Sequence, residues 1–207
     1  MTYHKVKQGT NKWFKLREGR LTASEFGSAA GLVGSYDSRG SLHRRKNNGA
    51  PPKEITPPIQ FGIDYENVAR RDAEIVLGLV SFATGFHVHN DYDWLGASPD
   101  GMFIGNGLHE IKCRPTEPYE SVSDQHMAQV QGQLACAGCT QCIFQSWTPS
   151  TQRIWQINFD QEYWDWLLPY LHEFWLYKAE PPRLKRRRKF SREIETKIIY
   201  EGESYAI

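Results

Sequence analysis

One acidic element constrains this chain more than any other: Ser98-Pro99-Asp100-Gly101, with Glu110-Ile111-Lys112 beginning nine residues after Gly101. Pro-Asp-Gly is turn chemistry. Gly105-Asn106-Gly107 supplies a second reversal, so the two segments form a β-hairpin that folds Asp100 back toward Glu110. Strand residues i and i+2 share a face. Glu110 and Lys112 therefore point together, while Ile111 and Cys113 point the other way, toward a core. The plain alternative is a common turn beside an exposed Glu-x-Lys pair screened by water. The combination at this spacing favours a built site, in which two carboxylates and an ammonium meet.

Two acidic oxygens and a backbone carbonyl suit a hard cation, and a lysine beside them can hold or deprotonate a water. That chemistry is metal-assisted hydrolysis of a phosphodiester. The formal net charge of +1 sets up no global field for a polyanion, so affinity for nucleic acid must come from local clusters. With 207 residues, 13% of them aromatic, the chain supports one well-buried domain. No apolar run reaches the roughly 20 residues of a membrane span, and the N-terminus lacks an apolar signal region. The expectation is a soluble, intracellular protein without membrane contact. Cys136, Cys139 and Cys142, with Cys113 upstream, match the ligand count of an iron–sulfur cluster. Against a cluster, Cys136 and Cys139 fall at the end of one helix, and small buried thiols are the commoner outcome.

Along the chain, Trp13 to Arg17 starts a short helix. Thr22-Ala23-Ser24-Glu25 is a capping box for a helix running to about Gly31. Ser38 to Asn48 forms another helix ending at Gly49, and Pro51, Pro52, Pro57 and Pro58 make extended loop. Ile59 to Leu79 is the clearest helix, with Tyr65, Ala69, Ala73 and Val76 on its apolar stripe. Glu66 lies on that stripe too, either turned inward as a third carboxylate or paired with Arg70 at i, i+4. Phe82 to Asn90 reads as a strand. A helix starts near Gln125, and a hairpin joins Cys142–Thr148 to Gln152–Phe159. Asp160 caps a final helix from Gln161 to about Ala179 that carries Pro169. The fold class is α/β, a mixed central sheet flanked by helices. Residues 1–180 form one domain and 181–207 a basic extension whose Arg183 to Lys189 run reads equally as a phosphate-binding arm or a solvated tail. Ile194 to Tyr200 can add a strand at a sheet edge or to a neighbouring subunit.

These motifs resemble the lambda-exonuclease / YqaJ-like viral recombinase family within the PD-(D/E)XK nuclease superfamily. The matching pieces, in order, are Arg17 to Ser24, Phe61-Gly62 with Tyr65-Glu66-Asn67, Ser98 to Gly101, Asn106-Gly107-Leu108 with Glu110 to Cys113, and Met127 to Gln131. The resemblance implies a restriction-endonuclease-like core. It implies that Glu66, Asp100, Glu110 and the Ile111 carbonyl ligate one or two Mg²⁺ ions, Mn²⁺ substituting. Lys112 then orients or activates the attacking water, Gln129 positions it, and Arg17 with Ser24 holds a DNA 5′-phosphate. A phosphate there also makes physical sense, since free N–H groups of a helix start favour an anion and arginine grips it bidentately. The implied activity is 5′→3′ digestion of double-stranded DNA ends to leave 3′ single strands. The implied partners are two further copies in a homotrimer ring and a single-strand annealing protein, encoded by a phage or prophage and acting in the bacterial cytoplasm. A PD-(D/E)XK endonuclease and a non-catalytic DNA-binding module remain the competing readings. His126, where an aromatic residue is frequent, and the loop from Gly34 to Pro58 depart from the family pattern.

Overall fold

The computed structural model describes residues 2–47, 55–105 and 107–205. Asn48, Gly49, Pro51, Pro52 and Asn106, which carry parts of the expected helix end, loop and hairpin turn, lie outside the described residues. In chain order the elements are β1 (Thr2–His4), α1 (Asn11–Arg17), β2 (Leu21–Thr22), α2 (Phe26–Ala30), α3 (Arg39–Asn47), α4 (Pro57–Leu77), β3 (Ser81–Phe82), β4 (Phe86–Val88) and β5 (Leu95–Ala97). They continue with β6 (Gly101–Phe103), β7 (Gly107–Cys113), α5 (Asp124–Ala137), β8 (Gln141–Trp147), β9 (Thr151–Asn158), α6 (Gln161–Leu176) and β10 (Thr196–Glu203).

Among the described residues the strands make two mixed sheets. The larger runs β10-β9-β8-β7-β6-β3 and the smaller β1-β4-β5-β2. In the larger sheet β7 and β8 are parallel, and α5 makes the crossover between them, while the other pairs are antiparallel. The sheet is covered on both faces, as the α/β reading requires. Leu108 and Phe144 face the main core, built with Phe26, Val130, Leu134, Trp164, Leu167 and Phe174 from α2, α5 and α6. Ile111 and Trp147 face α4, where they pack with Ala69, Tyr65 and Phe61. Burying one such large side chain contributes about 1.5–3 kcal/mol.

Local rules explain most boundaries. Glu25 reaches back to accept from the Thr22 backbone N–H at 2.9 Å and from its hydroxyl at 2.8 Å, and Gly31, at φ 72°, ends α2 in a conformation that only glycine adopts readily. Ser123 and Asp160 cap α5 and α6 by accepting from His126 N and Tyr163 N. Two expectations are corrected. Pro57 and Pro58 open α4 instead of extending the loop, because first-turn N–H groups have no intrahelical acceptor and proline loses nothing there. The single strand expected over Phe82 to Asn90 is two strands in different sheets, β3 pairing β6 and β4 pairing β1 and β5. The break falls at Gly85, whose Cα lies so close to the His4 carbonyl that a side chain has no room.

The C-terminal segment folds back on the body. Arg188 pairs with Glu173 at 2.7 Å, stacks over Tyr170 and exchanges backbone hydrogen bonds with α2's end through Gly31 and Val33. β10 then becomes the edge strand beside β9. No helix among the described residues is long and apolar enough to cross a membrane.

Candidate active site

The hairpin forms as its turn residues require: Gly101 pairs with His109 and Phe103 with Gly107. This register puts Asp100 beside the Glu110–Ile111 step, where its Oδ2 accepts the Ile111 N–H at 2.7 Å. Glu110 is 2% exposed. A carboxylate in that position is costly unless its lone pairs are filled. Three of about four are: Oε1 accepts from Lys112 Nζ and from Gln129 Nε2, each at 2.6 Å, and Oε2 accepts from Gln133 Nε2 at 2.6 Å. Lys112 also donates to Gln129 Oε1 at 3.2 Å. The i, i+2 face-sharing of β7 aligns acid and amine, and the i, i+4 spacing of α5 aligns the two amides above them.

Glu66 approaches from α4. Its Oε1 accepts from Arg70 Nη2 at 2.9 Å, so the i, i+4 pair forms, and the same Nη2 donates to the Asp100 carbonyl at 2.8 Å. Behind Arg70 runs a buried chain. Arg70 Nη1 donates to Ser81 Oγ, which hydrogen-bonds His109 Nδ1, and His109 Nε2 meets Gln145 Oε1. Burial first, then the charge of Arg70, drives the His109 pKa down to about 3, so this relay is neutral.

Charge crowding is the defining electrostatic feature. Burial, then Glu110 and Glu66, raise the Asp100 pKa well above the ordinary carboxylate range. Glu66 is raised too, by burial, with Arg70 opposing. For Lys112, burial works to lower the pKa, but Glu110 and Asp100 outweigh it and hold the ammonium above the usual lysine value. The two carboxylates thus hold Lys112 as an ammonium. Among the described residues no group of three acidic, thiol or imidazole side chains is arranged to enclose a metal ion; Glu66 is engaged by Arg70, and Glu110 by Lys112, Gln129 and Gln133. The donor set itself fits a hard cation: three carboxylates whose mutual repulsion a divalent ion would relieve, with only Lys112 and Arg70 against them.

The other expected pair lies on the N-terminal segment. Arg17 donates to Thr22 Oγ1 at 3.0 Å and stacks over Trp13; its pKa is lowered by burial, with Glu25 opposing. Ser24 is exposed in the capping turn, and its carbonyl accepts from Gln125 Nε2 at the start of α5. No hydrogen bond joins Arg17 to Ser24 among the described residues. Lys46 and Arg45 of α3 complete a cationic cluster around Glu25, at 2.8 and 3.8 Å.

Sequence reasoning passed over Gln133, although its position four residues beyond Gln129 was a usable signal. It also passed over Tyr36, an exposed residue whose phenol lies 2.5 Å from His126 Nε2 beside Lys112. Cys136, Cys139 and Cys142 sit buried with raised pKa values, and burial pushes Cys113 to about 12.

Residues 12–140 match the model of the YqaJ-like viral recombinase domain. Among solved structures, the chain is similar to an alkaline exonuclease from Laribacter hongkongensis, 25% identical at a TM-score of 0.66, covering 80% of this chain and 90% of that one. The same enzyme in complex with dAMP matches equally. A phage related exonuclease from Haemophilus somnus, 15% identical at a TM-score of 0.59 over 75% of this chain and 93% of that one, shares the fold. No curated protein matches in sequence.

Proposed function

The chain belongs to the YqaJ-like viral recombinase domain family, and on that premise we propose a phage-type DNA exonuclease that uses Mg²⁺, digests duplex DNA 5′→3′ from 5′-phosphorylated ends and leaves 3′ single-stranded overhangs for recombination. The observation that carries this reading is the buried Glu110–Lys112 pair under the Gln129 and Gln133 amides, at the strand where Asp100 sits among like charges.

Glu66, Asp100, Glu110 and the Ile111 carbonyl are the residues that would hold the metal. Bound there, one or two Mg²⁺ ions (or Mn²⁺) would neutralise phosphodiester charge and make a water more acidic. Lys112 keeps its proton and donates it in a hydrogen bond to the attacking water or a phosphoryl oxygen. Gln129, bonded to both Glu110 and Lys112, fixes the direction of that donor. Gln133 locks the second Glu110 oxygen, so the carboxylate has one orientation. Arg17, bonded to Thr22 and stacked over Trp13, with Arg45 and Lys46 gathered round Glu25, would grip a terminal phosphate together with Ser24. A homotrimeric ring, a single-strand annealing partner, a location in the bacterial cytoplasm, and the division into a nuclease body over 1–180 with a basic extension after it belong to the same proposal.

The test compares a 5′-phosphorylated linear duplex with a covalently closed circle. The parent chain digests the first and spares the second; rapid linearisation of circles would mark an endonuclease instead. Lys112→Ala abolishes hydrolysis while DNA binding survives, and parental digestion by that variant overturns the site assignment. Chelation stops the reaction, Mn²⁺ restores it, and Ca²⁺ binds without turnover.

A further inference from the structure

A cavity of about 550 Å³ opens between the start of α3 and the chain after α6, lined by Ser38, Arg39, Gly40, Glu180 and the basic residues Arg183, Lys185 and Arg187. It shares no lining residue with the carboxylate site. We propose that this cavity is a second phosphate-binding site that takes a backbone phosphate of nucleic acid; the nucleic-acid source rests on the exonuclease reading, the phosphate chemistry does not.

Three independent features point to an anion. The first turn of α3, a nine-residue helix, opens into the cavity; Ser38 Oγ takes the Ser41 N–H at 3.1 Å, and the helix dipole with the Arg39 and Gly40 N–H groups favours negative charge there. Arg39 is only 4% exposed, and its guanidinium is incompletely satisfied. Nε donates to the Ala29 carbonyl and Nη2 to Glu173, but Nη1 is buried with no hydrogen-bond partner. A buried donor left open is costly, and an anion in the cavity would fill it. Finally, an anion of the protein's own already tests the spot. The Glu180 carboxylate lies against the Gly40 backbone, where a side chain on Gly40 would collide with it, and pairs with Arg44 at 2.6 Å.

The surrounding charge goes beyond what Glu180 balances. Arg183, Lys185 and Arg187 are exposed and have no ion-pair or hydrogen-bond partner among the described residues. The segment carrying them is nonetheless held, by Leu184 packed against Gly31 and by Arg188 bonded to Gly31, Ala30 and Glu173. Three unpaired cations on an anchored loop exceed the need of a single free phosphate and suit a run of phosphates. Glu180 is then an internal competitor that the backbone phosphate displaces.

The experiment is equilibrium binding of a fluorescent duplex by the full chain in chelator, from about 50 to 200 mM salt. Each phosphate neutralised contributes about 0.9 to the log–log salt slope. Arg183→Ala/Lys185→Ala/Arg187→Ala should therefore flatten the slope by about 2.7, so the parent loses about 40-fold more affinity across that range than the variant does. Glu180→Gln should bind tighter than the parent. Unchanged slope in the triple variant, or weaker binding by Glu180→Gln, overturns the site. Inorganic phosphate serves as the second probe. If it protects the parent against thermal unfolding but not the triple variant, while duplex binding is equal in both, the site takes free phosphate and the backbone assignment fails. A parent that shows the expected slope yet never cuts DNA with Mg²⁺ sinks the exonuclease reading and leaves this site standing.

Discussion

Gly132→Ala sets two effects of opposite sign against each other, and the structure decides between them. Gly132 lies inside α5, where alanine would ordinarily stabilise by about 1 kcal/mol through helix propensity. A Cβ there, however, falls inside 3.0 Å of two ring carbons of Phe26, with the Ala23 methyl 3.5 Å away on its other flank. Phe26 is fully buried and its ring packs against Trp164, so it has no flexible end to swing aside. Relief requires moving the ring, or separating α5 from α2, by a good fraction of an ångström in a close-packed core. Overpacking of that kind costs about 1–3 kcal/mol. Set against the propensity gain, the variant should lose up to about 2 kcal/mol, read from the urea midpoint at constant m-value. Because α5 also carries Gln129 and Gln133, nuclease activity should fall with stability. Phe26→Leu in the same chain should recover part of the loss, a coupling that a double-mutant cycle isolates. A Gly132→Ala chain more stable than its parent would show that propensity rules here and that the α2–α5 contact is slack.

The remaining predictions concern charge. His87 is 3% exposed, and burial lowers its pKa from 6.5 to about 4, so the unfolded chain binds its proton more readily than the folded one. Its contribution is complete above pH 6.5 and is lost as pH falls through about 4, up to about 3 kcal/mol at 1.36 kcal/mol per unit; a His87→Gln chain whose urea midpoint falls as steeply over that window would refute this. Asp100→Asn should abolish cleavage yet raise the thermal midpoint, since it removes one of the crowded charges and keeps an acceptor for Ile111 N–H. Asp72→Asn should lower the thermal midpoint, at a stability cost of about 1–3 kcal/mol, because Asp72 is fully buried and each oxygen accepts, one from Trp147 Nε1 and the other from Tyr205 N. If both variants shift the midpoint in the same direction, the distinction between a functional and a structural carboxylate fails.

What was legible in the sequence is what local rules govern. The capping box, the Pro-Asp-Gly hairpin and the shared face of Glu110 and Lys112 each follow from spacing within a dozen residues, and all are present. Contacts between distant segments were not legible. The transfer of β4 to a second sheet depends on β1, more than eighty residues away. In the sequence Arg70 figured only in the alternative to an inward Glu66, a surface pair; its bonds to the Asp100 carbonyl and Ser81 exist only once α4 lies on the hairpin. The basic run read evenly as arm or tail. The structure divides it, Arg188 turning inward to Glu173 and Tyr170 while Arg183, Lys185 and Arg187 stay unpaired.

The same division runs through the charged groups of the whole molecule. Where a charge serves the fold, its valences are closed: Arg188 meets Glu173, the Ala30 carbonyl and the Tyr170 ring. At the hairpin the count does not close, with three carboxylates facing Lys112 and Arg70 and one of them driven toward protonation. Beside α3 the imbalance is reversed, three free cations and an open guanidinium facing Glu180. Both sets lie on scaffolds rigid enough to keep like charges together, the β6–β7 hairpin under α5 and the loop pinned to α2. A fold gains nothing from holding like charges in contact. A divalent cation at the first and a phosphate chain at the second, as proposed, would relieve both, and a nucleic acid cut at its end while held farther along its backbone would use the two together.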